Sequence, residues 1–396
     1  MSPHPSQATK GSLAVGLIGH AFMGAAHSQA WRSAPRFFDL PLDPTMTVVC
    51  GRDAQRAEEA AARLGWTESA TDWRSVVARD DIDVIDICTP GDSHAEIAVA
   101  ALGAGKHVIC EKPLANTVAE AEAMVEAAEQ AHAHGVRAMV GFTYRRVPAI
   151  ALARRLVAEG RIGEVHHVRA QYLQDWIADP EAPLSWRLEK DKAGSGALGD
   201  IGAHIIDLTQ FITQDRILEV SGQLTTFVKE RPLATEHSGL SGTASTERGA
   251  VTVDDAAVFL ARFTGGAVGV FEATRFATGR KNGIRIEING SRGSLAFDFE
   301  DMNVLQLFDA TEPDETAGFR RILVTEPGHP YVAAWWPPGH GLGYEHAFTH
   351  QVVDLVTAIA EGTDPHPSFA DGLQVQRVLA AVETSSDTRT WQEIPA

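Results

Sequence analysis

The chain of 396 residues is too long for one ordinary domain and is read as two. A composition of 44% hydrophobic and 22% charged residues describes a globular protein with substantial cores, and a net charge of −18 leaves no basic face for nucleic acid. No apolar run is long enough to span a membrane, so neither nucleic acid nor membrane is expected as a partner.

The leader MSPHPSQATKGS is polar and lacks a signal-peptide core; it is expected to be disordered, with the cytoplasm as the protein's address. From there to about residue 145, β-type runs at 13–18, 46–50, 84–88, 107–110 and 138–142 alternate with Ala-rich helical stretches at 53–64, 95–104 and 117–134. That order implies βαβ units and a parallel sheet covered by helices on both sides, over a first domain at 12–145. Cys50, Cys88 and Cys110 each close a strand run and read as small buried residues, neither a disulfide framework nor a zinc site.

The turn after the first run reads Gly19-His20-Ala21-Phe22-Met23-Gly24, a dinucleotide fingerprint with alanine in place of its second glycine. Gly19 serves the tight turn and Gly24 the close packing of helix on strand. Ala21, Phe22 and Met23 carry the backbone past the pyrophosphate, at a helix N-terminus that supplies N–H donors. The second strand would end, in an NAD site, with an acid for the ribose hydroxyls. Here Gly51 and Arg52 stand in that place, so NAD and NADP both stay open: Arg52 suits a 2′-phosphate, or is a solvated surface charge.

The third run leads into "CTPGDSH", which places Thr89, Pro90 and His94 at the carboxyl edge of the sheet, where ligands of such folds bind. The fourth ends in "CEKP", where Glu111 and Lys112 run straight into a proline. A cis bond or a rigid turn there would fix the lysine's direction.

After about residue 148 longer β-type runs joined by Gly-rich turns predict a second domain at 146–396 with a mostly antiparallel sheet. Helices are expected at about 200–212 and 345–361, and a long loop at 230–251, which is poor in apolar residues. In "AGSGALGDIGAHIID", Asp200, His204 and Asp207 fall at i, i+4 and i+7 on one helical stripe, beside an apolar stripe of Ile201, Ile205, Leu208 and Ile212. Alone, this reads equally as an N-terminal acid with a satisfied histidine one turn on. Tyr144 and Arg145 end the fifth strand, and Gln174, Asp175, Trp176 and Arg187 follow; together they offer directional polar groups and an aromatic face. Trp176 and Trp186 read equally as core aromatics. The loop at 331–346 closes over a site or is an aromatic-rich surface turn. His346 and His350 have no general-base glutamate between them and read as structural, with no metal expected.

These motifs, in this order, resemble the Gfo/Idh/MocA oxidoreductases, NAD(P)-dependent enzymes of sugars and cyclitols. The resemblance spans "CTPGDSH", "CEKPLANT", "GFTYRRVPA", "SWR", "GSGALGDIGAHIID" and "PSFADG"; the local patterns "QYLQDW", "SWRLEK", "EATRFATGRKN" and "GHPY" are similar to the branch containing levoglucosan dehydrogenase. It implies an α/β protein, an N-terminal Rossmann domain plus an α/β domain whose open sheet serves dimer or tetramer formation. It also implies a catalytic trio of Lys112, Asp200 and His204, with cofactor contacts from Gly19, Ala21, Phe22, Met23, Gly24, Gly51, Arg52, Thr89, Pro90, His94, Glu111 and Lys112. Tyr144, Arg145, Gln174, Trp176 and Arg187 are the candidate substrate contacts. Ala21, Gly91 and Thr143 depart from the family's residues. The activity implied is oxidation of a ring hydroxyl by hydride transfer, at C3 of a pyranose if the narrower pattern holds. The alternatives are a redox-neutral glycoside-cleaving enzyme and a dinucleotide sensor.

Overall fold

The computed structural model describes residues 10–238 and 241–395, with the backbone alone for 235–238 and 241–244. The leader expected to be disordered falls mostly on residues 1–9, outside the described residues; Gly11 and Ser12 already belong to the first strand.

The first half runs β1 (Gly11–Ile18), α1 (Phe22–Phe37), β2 (Leu42–Cys50), α2 (Ala54–Leu64), β3 (Glu68–Ala70), α3 (Trp73–Val77), β4 (Val84–Ile87), α4 (His94–Gly103), β5 (His107–Cys110), α5 (Val118–His132) and β6 (Ala138–Val140). Its six parallel strands lie in the order β3-β2-β1-β4-β5-β6. The short β3 and α3 were not anticipated; three residues of strand carry too little periodicity to read. Helix ends follow local chemistry. The Asp53 carboxylate accepts the Arg56 N–H to start α2, Gly65 in the left-handed region ends it, and Thr117 and Glu120 close a reciprocal cap on α5. The strand order reverses between β1 and β4, and the crevice beyond their carboxyl ends is where such sheets bind ligands.

The second half runs α6 (Pro148–Ala158), β7 (Val165–Leu173), α7 (Lys190–Ala193), α8 (Ala203–Thr213), β8 (Ile217–Thr225), β9 (Glu230–Ser238), β10 (Ser241–Ala250), β11 (Ala256–Phe263), β12 (Val268–Thr274), β13 (Gly283–Gly290), β14 (Gly293–Asp298), β15 (Val304–Asp309), β16 (Arg320–Leu323), α9 (Tyr344–Glu361), α10 (Phe369–Thr388) and β17 (Gln392–Glu393). Nine strands form one sheet, β16-β15-β14-β13-β7-β12-β11-β8-β17, antiparallel except where β7 and β12 pair. Its inner face buries Phe259, Phe271, Ile284, Ile286 and Leu295 within the main core, while Val258, Leu260, Val268 and Val270 stand exposed on the outer face. The chain then returns: α9 packs on α1, and α10 on both α5 and β8.

Two expectations need correction. The stretch 230–251 is not a loop but the hairpin β9–β10, a sheet of its own. Backbone pairing makes it, without apolar alternation to announce it. Beneath it Arg231, fully buried, donates to the carbonyls of Ile177, Asp179 and Ala182. The helix expected at 200–212 begins instead as a π-helical turn, Leu198–Gly202, that runs into α8. Its entrance is pinned by Asp254, whose carboxylate accepts the N–H groups of Gly196 (2.7 Å) and Leu198 (2.8 Å). Any side chain at Gly196 would strike the Asp254 carbonyl, which explains one of the glycines that precede the helix.

Candidate active site

A cleft of about 1150 Å³ opens at the carboxyl edge of the parallel sheet and is closed on its far side by residues of the second half. Gly19 sits at φ +96°, and a Cβ there would lie 2.7 Å from the Cys88 carbonyl oxygen. Gly24 faces the Gly19 carbonyl so closely that a side chain would strike it; it shapes the turn but does not line the cleft. Ala21, Phe22 and Met23 line the cleft where α1 begins, with backbone N–H groups suited to a pyrophosphate. At the other end lie Gly51 and Arg52, and the His20 imidazole covers Gly51, filling the space an acid's side chain would need. These residues fit a dinucleotide: two glycines that no other residue could replace, a free helix start and a cleft long enough for both nucleotide halves.

Thr89, Pro90, His94 and Glu111 also line the cleft. The His94 ring spans two turns, with Nδ1 3.0 Å from the Pro113 carbonyl and Nε2 2.9 Å from the Thr89 carbonyl. Both partners are acceptors, and the ring between them holds "CTP" against "EKP". The Lys112–Pro113 bond is cis.

From that turn Lys112 reaches across to the π-helical turn. Its Nζ donates to the Asp200 carbonyl oxygen (2.7 Å) and stands 3.6 Å from the Asp200 carboxylate. On the other side Arg275, fully buried, places Nη1 3.4 Å from Asp200 Oδ2. Burial works against the Asp200 charge, but Lys112, Arg275 and Arg187 outweigh it and hold the carboxyl down at about 2. His204, 8% exposed, borders the cleft among Tyr144, Tyr172 and Phe142, with ring centroids 4.7, 5.7 and 6.2 Å away. Burial and the Lys112 charge push its basicity well below the usual histidine value, against the pull of Asp200. Its Nδ1 is buried with no hydrogen-bond partner among the described residues. The imidazole is therefore neutral, and it stands next to a fixed ammonium and a fixed carboxylate.

The remaining wall is a hydrogen-bonded row. Tyr144 and Tyr172 hydroxyls lie 3.0 Å apart, Tyr172 donates to Asn282 (2.6 Å), the Gln174 amide donates to Asn282 (3.1 Å), and the Trp176 N–H donates to Gln174 (3.1 Å). Trp176 lines the cleft and also packs, half-buried, against the small core of Ile177, Leu188, Val251 and Val253. Arg187 lies over the Trp186 ring at 4.4 Å, also at the cleft.

Arg145 does not join them. Its guanidinium is turned to Asp207 (2.9 and 3.0 Å) and lies 3.7 Å from Asp371. The stripe expected of Asp200, His204 and Asp207 is split accordingly: the first two face the cleft, while Asp207, 1% exposed, is buried against Arg145. Tyr172, Asn282, Arg275 and Tyr344 line or brace the site without having been singled out. Alternation along β7 was the available signal for Tyr172, two residues before Gln174.

The loop at 331–346 does not close over the cleft along most of its length: Trp335 and Trp336 pack on Phe37, at 4.4 and 5.4 Å. Only its end, Tyr344, reaches the cleft wall, 6.2 Å from Phe22 and 6.3 Å from Tyr144. His350 is structural, accepting the Trp335 N–H (2.7 Å) and facing the Arg146 carbonyl (3.0 Å).

Residues 13–142 match the family described as "Oxidoreductase family, NAD-binding Rossmann fold", and residues 150–296 match the GFO/IDH/MocA C-terminal domain. A levoglucosan dehydrogenase of Pseudarthrobacter phenanthrenivorans is 44% identical over 97% of this chain and 98% of its own. A solved levoglucosan dehydrogenase in complex with NADH and levoglucosan superposes with a TM-score of 0.91, covering 97% of this chain and all of that one, at 44% identity. An oxidoreductase domain protein from Kribbella flavida is 77% identical, with a TM-score of 0.93 over 98% of this chain and 100% of that one.

Proposed function

The chain belongs to the Gfo/Idh/MocA oxidoreductase family as an NAD-dependent sugar dehydrogenase, and we propose that it oxidises a ring hydroxyl of a pyranose or anhydrosugar, levoglucosan foremost, at C3 to give the keto sugar. The observation that carries this reading is the neutral His204 held beside Lys112 and Asp200 at the wall of a dinucleotide-sized cleft.

The dinucleotide, when bound, supplies the hydride acceptor. Gly19, Ala21, Phe22, Met23, Gly51 and Arg52 would hold its adenosine and pyrophosphate, with Thr89, Pro90, Glu111 and Lys112 toward the nicotinamide; Gly24 and His94 shape the turns. His204 takes the hydroxyl proton, for which a neutral imidazole is ready without first shedding its own. Lys112 hydrogen-bonds the same oxygen and stabilises the charge that develops as the proton leaves. Asp200 holds Lys112 and favours the imidazolium once it forms. Tyr144, Tyr172, Gln174, Trp176, Asn282 and Arg187 orient the sugar; their linked hydroxyls and amides present directional partners, and the tryptophan an apolar face.

We place the division between a Rossmann domain and a substrate and oligomerisation domain at 145/146, a few residues after β6, the last strand of the parallel sheet. The exposed Val258, Leu260, Val268 and Val270 on one open sheet face support self-association as dimer or tetramer. Three unpaired buried thiols and use of the NAD pool support a cytoplasmic address.

The test is the appearance of reduced nicotinamide with NAD+ or NADP+ against levoglucosan, glucose, glucosides and myo-inositol. The reading expects reduction with levoglucosan or a near pyranose. Silence across the panel with dinucleotide binding intact would overturn it in favour of sensing, and glycoside loss without net reduction in favour of redox-neutral cleavage.

A further inference from the structure

Behind the cleft lies a charged cluster of which the reaction as described uses only Glu111, at its edge. His27 on α1, 2% exposed, sets Nδ1 2.9 and 3.0 Å from the two Asp86 oxygens and Nε2 3.0 Å from Glu111 Oε1. Asp86 lies on β4 and is fully buried; Glu111 directly follows β5 and is 4% exposed. Around them the Trp31 N–H donates to Asp86 Oδ2 (2.7 Å), the Cys88 thiol donates to Asp86 Oδ1 (3.5 Å), and Phe348 of α9 covers the imidazole at 5.5 Å.

An acceptor oxygen faces each ring nitrogen, so a neutral imidazole serves only one of them. Both bonds form when the ring is doubly protonated or when Glu111 carries the proton, and either arrangement is one proton shared among three buried groups. Burial opposes charge on His27, yet Asp86 and Cys88 together outweigh it and raise the ring well above the usual histidine value. Such a cluster is a weak device for stability, because apolar side chains of similar volume commonly do as well. Where it leads is more telling. Glu111 Oε2 accepts the N–H of Lys112 (3.2 Å), and the carboxylate fits there because Gly141 has no side chain: a Cβ would lie 2.9 Å from Glu111 Oε1.

We propose that His27 is a positioning residue for Lys112: seated on Asp86, it fixes the Glu111 carboxylate and thereby the peptide from which the lysine crosses to the Asp200 carbonyl. This rests on Lys112 acting at the reacting oxygen. On this proposal the effect of His27 passes through Glu111 to Lys112 and vanishes when the lysine's ammonium is gone.

The test is the kcat of folded His27→Asn enzyme in two backgrounds. Asparagine keeps a donor toward Asp86 and does not reach Glu111. The expected loss is about tenfold or more in otherwise unchanged protein but less than about twofold in Lys112→Ala. His27→Gln, whose amide extends toward Glu111, recovers part of the rate. An equal loss in both backgrounds, or kcat within about threefold of the unsubstituted enzyme, overturns the proposal. Should His27→Asn not fold, Glu111→Gln is read by the same comparison. Full activity in Lys112→Ala alone would overturn the underlying role of the lysine, an outcome separate from additivity.

Discussion

Lys112 is tied to Asp200 twice, through the backbone carbonyl at 2.7 Å and less closely through the carboxylate at 3.6 Å. The closer bond is to an oxygen that no side-chain substitution removes. Asp200→Asn therefore leaves the lysine in place but removes the charge that balances Lys112, Arg187 and Arg275. The expected result is a loss in kcat of about 10²-fold with NAD+ affinity little changed, read by steady-state kinetics and dinucleotide titration. Lys112→Ala loses about 10²- to 10³-fold in kcat, because it removes the donor to the reacting oxygen itself.

The depressed basicity of His204 sets the pH profile. In the free enzyme kcat/KM should be level through neutral pH and fall only well below about 6.5, where the ring at last takes a proton. His204→Ala should lose about 10²- to 10⁴-fold and with it that acid limb. A midpoint at or above the ordinary histidine value would assign the limb to another group.

Stability carries a related sign. His204 and His350 are both buried and held neutral, His350 down at about 3. Below about 6.5 the unfolded chain binds protons at both that the native state refuses until near its own lower values, so the contribution of these two rings is full above about 6.5 and is lost as pH falls through that window. The urea midpoint should drop from about pH 7 to about pH 5, and less steeply in His350→Gln.

Arg145→Met tests the correction to the substrate list. It strands Asp207, 1% exposed, without its partner and should cost about 3–5 kcal/mol of stability in denaturant titration. Sugar KM in the folded fraction should be unchanged. Tyr172→Phe does the reverse: it removes the hydroxyl between Tyr144 and Asn282, raising sugar KM several-fold, about 1 kcal/mol, with little change in melting temperature.

Much of this arrangement was legible in the residues. The βαβ order, the glycine turn, "CEKP" and the Asp200–His204 spacing each depend on local chemistry, and local chemistry survives in a sequence. What was hidden depends on distant partners. Asp254 turns the start of the helix into a π turn from more than fifty residues away. Arg145 looked like a ligand group because nothing near it in the chain shows that Asp207 will claim it. The β9–β10 hairpin is held by backbone pairing and by buried Arg231, neither of which leaves an apolar pattern. Asn282 joins the sugar-facing row only because β13 lies beside β7.

The central claim is hydride removal from C3 of a ring sugar with His204 taking the hydroxyl proton. The measurement closest to it is the fate of deuterium from levoglucosan labelled at C3, incubated with NAD+ and the full-length enzyme. Deuterium in the reduced nicotinamide and a primary isotope effect on the chemical step are expected, with transfer of the label slowed about 10²- to 10⁴-fold in His204→Ala. Deuterium retained in a keto-sugar product, or sugar consumed with no label and no electrons reaching the dinucleotide, would contradict it.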